Sequence, residues 1–219
     1  MEKVGILVAN GFEETETIVP YDLLSRTKKV EVIKIGITDI EDSILKLNDN
    51  LYIAQGSHKG DLLLDIKANS IILDSEGLSY AKTFSAIVVP GGMRGAMNIS
   101  KSEYSKKLLL DFYSEKKLIA AICASPAVVL GKFGIVSKNN ESKAICYPGC
   151  ENLSMLNADD INQIYKEGKE HIGVVVDNKN NIITAKAAGC SFNFAYSIIA
   201  HLFDNKLADN IFEEIYFER

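Results

Sequence analysis

Three short apolar runs constrain this chain more than any other feature: KVGILVA at 3–9, SAIVVPGG at 85–92 and LIAAI at 118–122. None alternates apolar with polar residues, as a strand with one wet face would. Each reads as a strand covered on both sides. KVEVIKIG at 29–36 supplies another strand, and DLLLDI (61–66) and SIILD (70–74) two short ones. HIGVVVDNKNNIITAKAAG (171–189) reads as two strands around an Asn-rich turn. Helical stretches fall between them. One runs to about Arg26, and SEYSKKLLLDFYSEKK (102–117) sets Leu108, Leu109, Phe112 and Tyr113 on one side. Pro126 opens another, and 190–203 and 206–217 close the chain. Strand followed by helix, repeated, predicts an α/β fold on a largely parallel sheet. Residues 38–60 are polar and mixed, which predicts an elaborated loop or extra hairpin. Without repeats or a linker, 1–219 reads as a single domain.

Several function classes are disfavoured at once. The net charge is -5 and no basic cluster exceeds a pair such as Lys28-Lys29, which argues against nucleic acid or an anionic membrane surface as partner. The N-terminal apolar run is too short for a secretory signal, and no stretch approaches the roughly eighteen apolar residues of a membrane span. The four cysteines lack metal-ligand spacing and the three histidines are scattered, so no metal is expected. Reduced thiols and a cytoplasmic location follow.

In such folds ligands bind outside the carboxyl ends of the strands. Three features sit there. In LIAAICASPAVVL, Cys123 stands at a strand-to-helix junction. If Ser125 caps the helix and Pro126 opens it, free N–H groups would favour a thiolate and depress the thiol pKa. The small Ala121 and Ala124 permit a sharp turn. A buried packing cysteine fits the same stretch. Glu16 is the second feature. Helical spacing puts it on the stripe of Val19, Pro20, Leu23 and Leu24, so its carboxylate faces the core, partnered or protonated. A plain N-terminal glutamate favoured by the helix dipole is the other possibility, and Pro20 predicts an irregular first turn. Third, Gly91 and Gly92 in PGGMRGAMN would let backbone N–H groups approach a ligand, or would simply make a tight turn. Cys146, after a second AIC, lies near the expected pocket rim, whereas Cys190 reads as a packing residue and Cys150 as exposed. His58, His171 and His201 read as ordinary.

Taken in order, ILVANGFEETET, VVPGGMRGAMN, LIAAICASP and TAKAAGCSFNFA resemble the ThiJ/PfpI superfamily, closest to its parkinsonism-associated deglycase branch, from about residue 3 to 203. The resemblance implies a flavodoxin-like three-layer α/β/α sandwich, a homodimer, and a cysteine elbow facing a protonated glutamate. Those roles fall on Cys123 and Glu16, with oxyanion donors at the backbone N–H groups of Gly92 and Ala124. It also implies an anion pocket. Arg26 is retained there, while Lys67 and Lys186 stand where the family has arginines, keeping charge but losing the bidentate fork. Tyr147 replaces a family histidine. Ala124 follows the cysteine where the superfamily's proteases carry histidine, which argues against peptidase activity. The 38–60 stretch and the polar segment 151–170 are longer than usual.

The implied activity is a cysteine-dependent, glutathione-independent glyoxalase or deglycase. It would act on methylglyoxal-type α-oxoaldehydes or their adducts, without cofactor. The rival is a redox-sensing stress protein or chaperone working through oxidation of Cys123. A glutamine amidotransferase would need a His-x-Glu pair, which neither His171 nor His201 begins.

Overall fold

The computed structural model describes residues 1–153 and 173–218. Seven strands form the main sheet: β1 (Glu2–Val8), β2 (Val30–Gly36), β6 (Ser70–Ile72), β7 (Ala86–Val89), β8 (Leu118–Ile122), β9 (Val174–Asp177) and β10 (Ile182–Ala185). Their order is β6-β2-β1-β7-β8-β10-β9, and every neighbouring pair is parallel except β10 with β9. Fully buried runs such as β7 and β8 become central strands because both their faces are covered. On one face α1 (Glu14–Arg26), α6 (Ser191–Leu202) and α7 (Asn205–Glu214) pack Leu23, Phe194 and Phe212 onto Val4, Ile6 and Val88. On the other lie α2 (Ser75–Ala81), α3 (Met93–Ile99), α4 (Glu103–Ser114) and α5, a short π-type helix at Pro126–Gly131. This is the flavodoxin-like three-layer sandwich. The sheet reverses its winding between β1 and β7, and a crevice opens at such a switch point.

The predicted elaboration is a three-stranded antiparallel sheet, β3 (Leu45–Asn48), β4 (Leu51–Gln55) and β5 (Asp61–Asp65), so DLLLDI belongs to it and not to the main sheet. Its β4–β5 tip is stitched to the loop after β1. Gly11 N–H donates to the Gln55 carbonyl at 2.7 Å and Ser57 N–H to that of Phe12 at 2.8 Å. At its base Arg94 grips Asp42 through two bonds of 2.7 Å, and Asn98 adds a third.

Three local expectations are corrected. Helix α1 runs unbroken through Pro20, with Glu13 as its cap: the Glu13 carboxylate accepts the Glu16 N–H at 2.7 Å. Ser125 does not cap α5. It is already helical, and its hydroxyl donates to the Pro90 carbonyl at 2.5 Å. The glycine turn after β7 leads directly into α3, a helix that the mixed MRGAMNI did not reveal. Most of the 151–170 segment, and His171, lie outside the described residues. Among the described residues no helix is long and apolar enough to cross a membrane.

Candidate active site

β8 runs directly into Cys123, whose backbone turns to φ 64, a conformation that costs a non-glycine residue strain and is held here by its neighbours. Its N–H donates to the Ala185 carbonyl at 2.9 Å, and its own carbonyl accepts the Tyr147 N–H at 2.7 Å. The Ser125 hydroxyl ties the far side of the elbow to Pro90. Clamped at three points, the thiol projects toward α1, half-buried.

Facing it is Glu16, with 0% exposure. One carboxyl oxygen, Oε2, accepts the Gly91 N–H at 2.9 Å, and Oε1 has no hydrogen-bond partner among the described residues. Gly91 sits between the two reactive groups. A Cβ there would lie 2.4 Å from Glu16 Oε2 and 2.5 Å from Cys123 Cβ, so only glycine lets the loop pass. Gly92, at φ 78, would drive a Cβ to 2.3 Å from the Gly11 carbonyl. Its N–H and that of Ala124 are both directed at the Cys123 sulfur.

The electrostatics follow from this enclosure. Burial lifts the Glu16 pKa from 4.5 to about 7. The Glu13 charge adds to the rise, while hydrogen bonds from the Cys123 thiol and Gly91 N–H oppose it. Burial likewise pushes the Cys123 thiol from 9.0 to about 12, with the Glu16 charge and hydrogen bond adding to the rise and the Gly92 and Ala124 N–H groups pulling down. The expected simple depression of this thiol is therefore corrected. The two groups titrate as one unit that loses a first proton near 7 and a second near 12. Between those values one proton remains on the pair, and the Glu16 charge favours it on the sulfur. When Glu16 holds it, the carboxylate's repulsion vanishes and the two N–H groups face a thiolate.

One consequence concerns stability. The unfolded chain releases the Glu16 proton near 4.5, whereas the folded chain keeps it to about 7. Stability therefore falls as pH rises between those values, then levels, a loss of about 3 kcal/mol at about 1.4 kcal/mol per unit. Glu16→Gln removes the decline. Urea midpoints from pH 4.5 to 8 should converge for the two proteins at the acid end, relative to a variant advantage above pH 7. Parallel curves would contradict the raised pKa.

The remaining candidates divide. Lys186 and Tyr147 border the elbow. The Lys186 N–H donates to Gly173 at 2.8 Å beside the strand end that holds Cys123, and the Tyr147 ring is 49% exposed. Arg26 and Lys67 do not join the thiol within one chain. Arg26 lies ten residues beyond Glu16, about 15 Å along α1, paired with Asp22 at 2.8 Å and Glu214 at 3.3 Å. Lys67 follows β5 at the end remote from its tip. Cys146 is buried in the hydrophobic cluster on the opposite sheet face from the one Cys123 packs against. Cys150, expected to be exposed, is buried in the same cluster as Cys146. Glu13, Glu14 and His58 bring ligand-type atoms within 4.8 Å of one another. Glu14 there accepts the N–H groups of His58 at 2.8 Å and Gly60 at 3.0 Å and so anchors the hairpin tip, a role the sequence did not signal. Gly91 as spacer and Ser125 as brace were also invisible from spacing alone.

Residues 2–201 match the DJ-1/PfpI family. The Parkinson disease protein 7 homolog of Danio rerio is 29% identical over 206 residues, 94% of this chain and 92% of that protein. The DJ-1 homolog B of Arabidopsis thaliana is 29% identical over 198 residues, but the match spans 90% of this chain and 37% of that longer protein. Among solved structures, oxidized Toxoplasma gondii DJ-1 superimposes with a TM-score of 0.75 at 28% identity, covering 100% of both chains. The elbow, the glycine turn and the facing glutamate lie within the matched span, and this chain belongs to the DJ-1/PfpI family.

Proposed function

We propose that this protein is a glutathione-independent glyoxalase or deglycase that uses Cys123 as nucleophile and Glu16 as proton carrier. The supporting observation is a fully buried carboxyl, titrating near 7, set against an elbow thiol that two backbone N–H groups address. The thiolate attacks the aldehyde carbon of methylglyoxal, and the carbonyl electron pair moves to oxygen, where Gly92 and Ala124 N–H groups stabilise it. Glu16 gives that oxygen its proton, forming a hemithioacetal. The carboxylate then takes the proton from the same carbon, an enediolate forms, Glu16 returns the proton to the neighbouring carbon, and the hydroxyl proton passes from the first oxygen to the second. A thioester results, and water releases lactate and the thiol. The sum is methylglyoxal plus water to lactate, with no redox partner. On a glycated amine or thiol adduct the same start, with the amine or thiol released as leaving group, is deglycation. Lys186 and Tyr147 are proposed as rim groups that orient the substrate, and Arg26 and Lys67 are left without a role inside a single chain. Lactate formed from methylglyoxal without glutathione, and abolished in Cys123→Ser, tests the reading. Equal rates in both proteins would end it.

The unpartnered Glu16 Oε1 favours one second reading. A neutral Glu16 could donate to a sulfinate on Cys123 and arrest oxidation there. A redox sensor of this kind would form the sulfinate with peroxide but no lactate. Assembly as a homodimer is proposed from family membership and from exposed apolar side chains at Ile18 on α1 and Leu45 and Leu63 on the hairpin sheet. Light scattering at micromolar concentration should give twice the 24.1 kDa chain mass, and a strict monomer would contradict it.

A further inference from the structure

β2 turns Val30, Val32 and Lys34 toward the same face, and the two valines are buried in the cluster under α1. Lys34 continues that row and is half-buried. Its Nζ donates to the Leu63 carbonyl at 3.0 Å and lies 5.8 Å from the centre of the Tyr21 ring. Lys34 and Tyr21, with Ile6, Thr17, Ile18 and Leu62, line a cavity of about 90 Å³ between α1 and β5. Among the described residues Lys34 is the only charged group on its walls.

Burial lowers the Lys34 pKa from its ordinary value, and only the nearby Asp65 charge opposes this. More of this amine is therefore neutral than of a surface lysine, and the neutral amine is the nucleophile. Tyr21 supplies a second ingredient. Its hydroxyl accepts a bond from the Asn69 amide at 2.5 Å, which leaves its own proton uncommitted by that bond.

We propose that Lys34 captures small neutral aldehydes as an imine in this cavity. The amine lone pair attacks the carbonyl carbon, the π pair moves to oxygen, and the nitrogen's extra proton ends on that oxygen, giving a carbinolamine. The hydroxyl then leaves as water with the Tyr21 proton while nitrogen forms the C=N bond. The proton released from nitrogen restores Tyr21. Aldehyde plus amine thus gives imine plus water, without oxidant or reductant. The apolar walls and the small volume select carbonyl compounds of three or four carbons without charge.

The test uses isobutyraldehyde with sodium cyanoborohydride at pH 7, which reduces any imine to a stable secondary amine, followed by peptide mapping by mass spectrometry. Lys34 is expected to be labelled measurably faster than the exposed Lys28 and Lys106, because more of its amine is neutral. Lys34→Arg should remove that label alone, and Tyr21→Phe should slow it without changing Lys28 or Lys106. Isobutyraldehyde lacks the α-oxo group that turnover at Cys123 requires, so the result is independent of the glyoxalase reading. Lys34 labelled no faster than the two exposed lysines in the wild-type protein would overturn the proposal.

Discussion

Glu16→Gln is expected to lower turnover of methylglyoxal by roughly 10²–10⁴, the range lost with a general acid–base group. Glutamine keeps the size and a donor for the thiolate, but it cannot give a proton to one atom and take it from the next. Cys123 should stay open to alkylation, and the pH profile separates chemistry from collapse. In the wild type, transfer of the shared proton to Glu16, as the proposed chemistry requires, predicts alkylation that rises through about 7, where the pair loses its first proton, and then stays level. In the variant that step at 7 should vanish, because the thiol titrates alone. Wild-type reactivity that rises only near 12 would mean the shared proton stays on sulfur, and full turnover in Glu16→Gln would show that another group carries it.

Gly91→Ala should be nearly as damaging without removing a reacting group. The added methyl would stand 2.4 Å from Glu16 Oε2, 2.5 Å from Cys123 Cβ and 3.0 Å from the Ile122 carbonyl. The first can swing aside, but the other two are fixed by β8, so the loop or the carboxyl must retreat. A displacement of about an ångström between proton carrier and thiol can cost around 10²-fold in turnover. Overpacking of this kind costs about 1–3 kcal/mol of stability. The expected signature is a fall in kcat larger than the drop in Tm would account for, in a protein that still folds. Activity within a factor of two of wild type would show that the glycine is not a spacer.

Much of the frame was legible before any coordinates. β1, β7 and β8 announced themselves because a strand buried on both faces has no polar residue to interrupt it. Their glycine- and cysteine-bearing ends marked the ligand side of the sheet. Glu16 stood out because helical spacing put a carboxylate on an apolar stripe, and it is fully buried. α2 and α3 were missed because each is only seven residues long, too short for periodicity to register. DLLLDI read as one more strand of a series, since nothing local says which sheet a strand will join.

What the chain's own pattern determined, then, was the kind of fold and which residues lie at its ligand-facing ends, because burial and periodicity are local properties. Distances between segments far apart in sequence belonged to the tertiary structure alone. Glu16, Gly91 and Cys123 meet only because β1, β7 and β8 lie side by side in the sheet. That contact desolvates the carboxyl, couples it to the thiol and reverses the depressed pKa that a helix N-terminus by itself implied. The same packing set Cys146 on the opposite face of the sheet. A side chain's charge state and reach depend on what surrounds it, and that is settled by the fold.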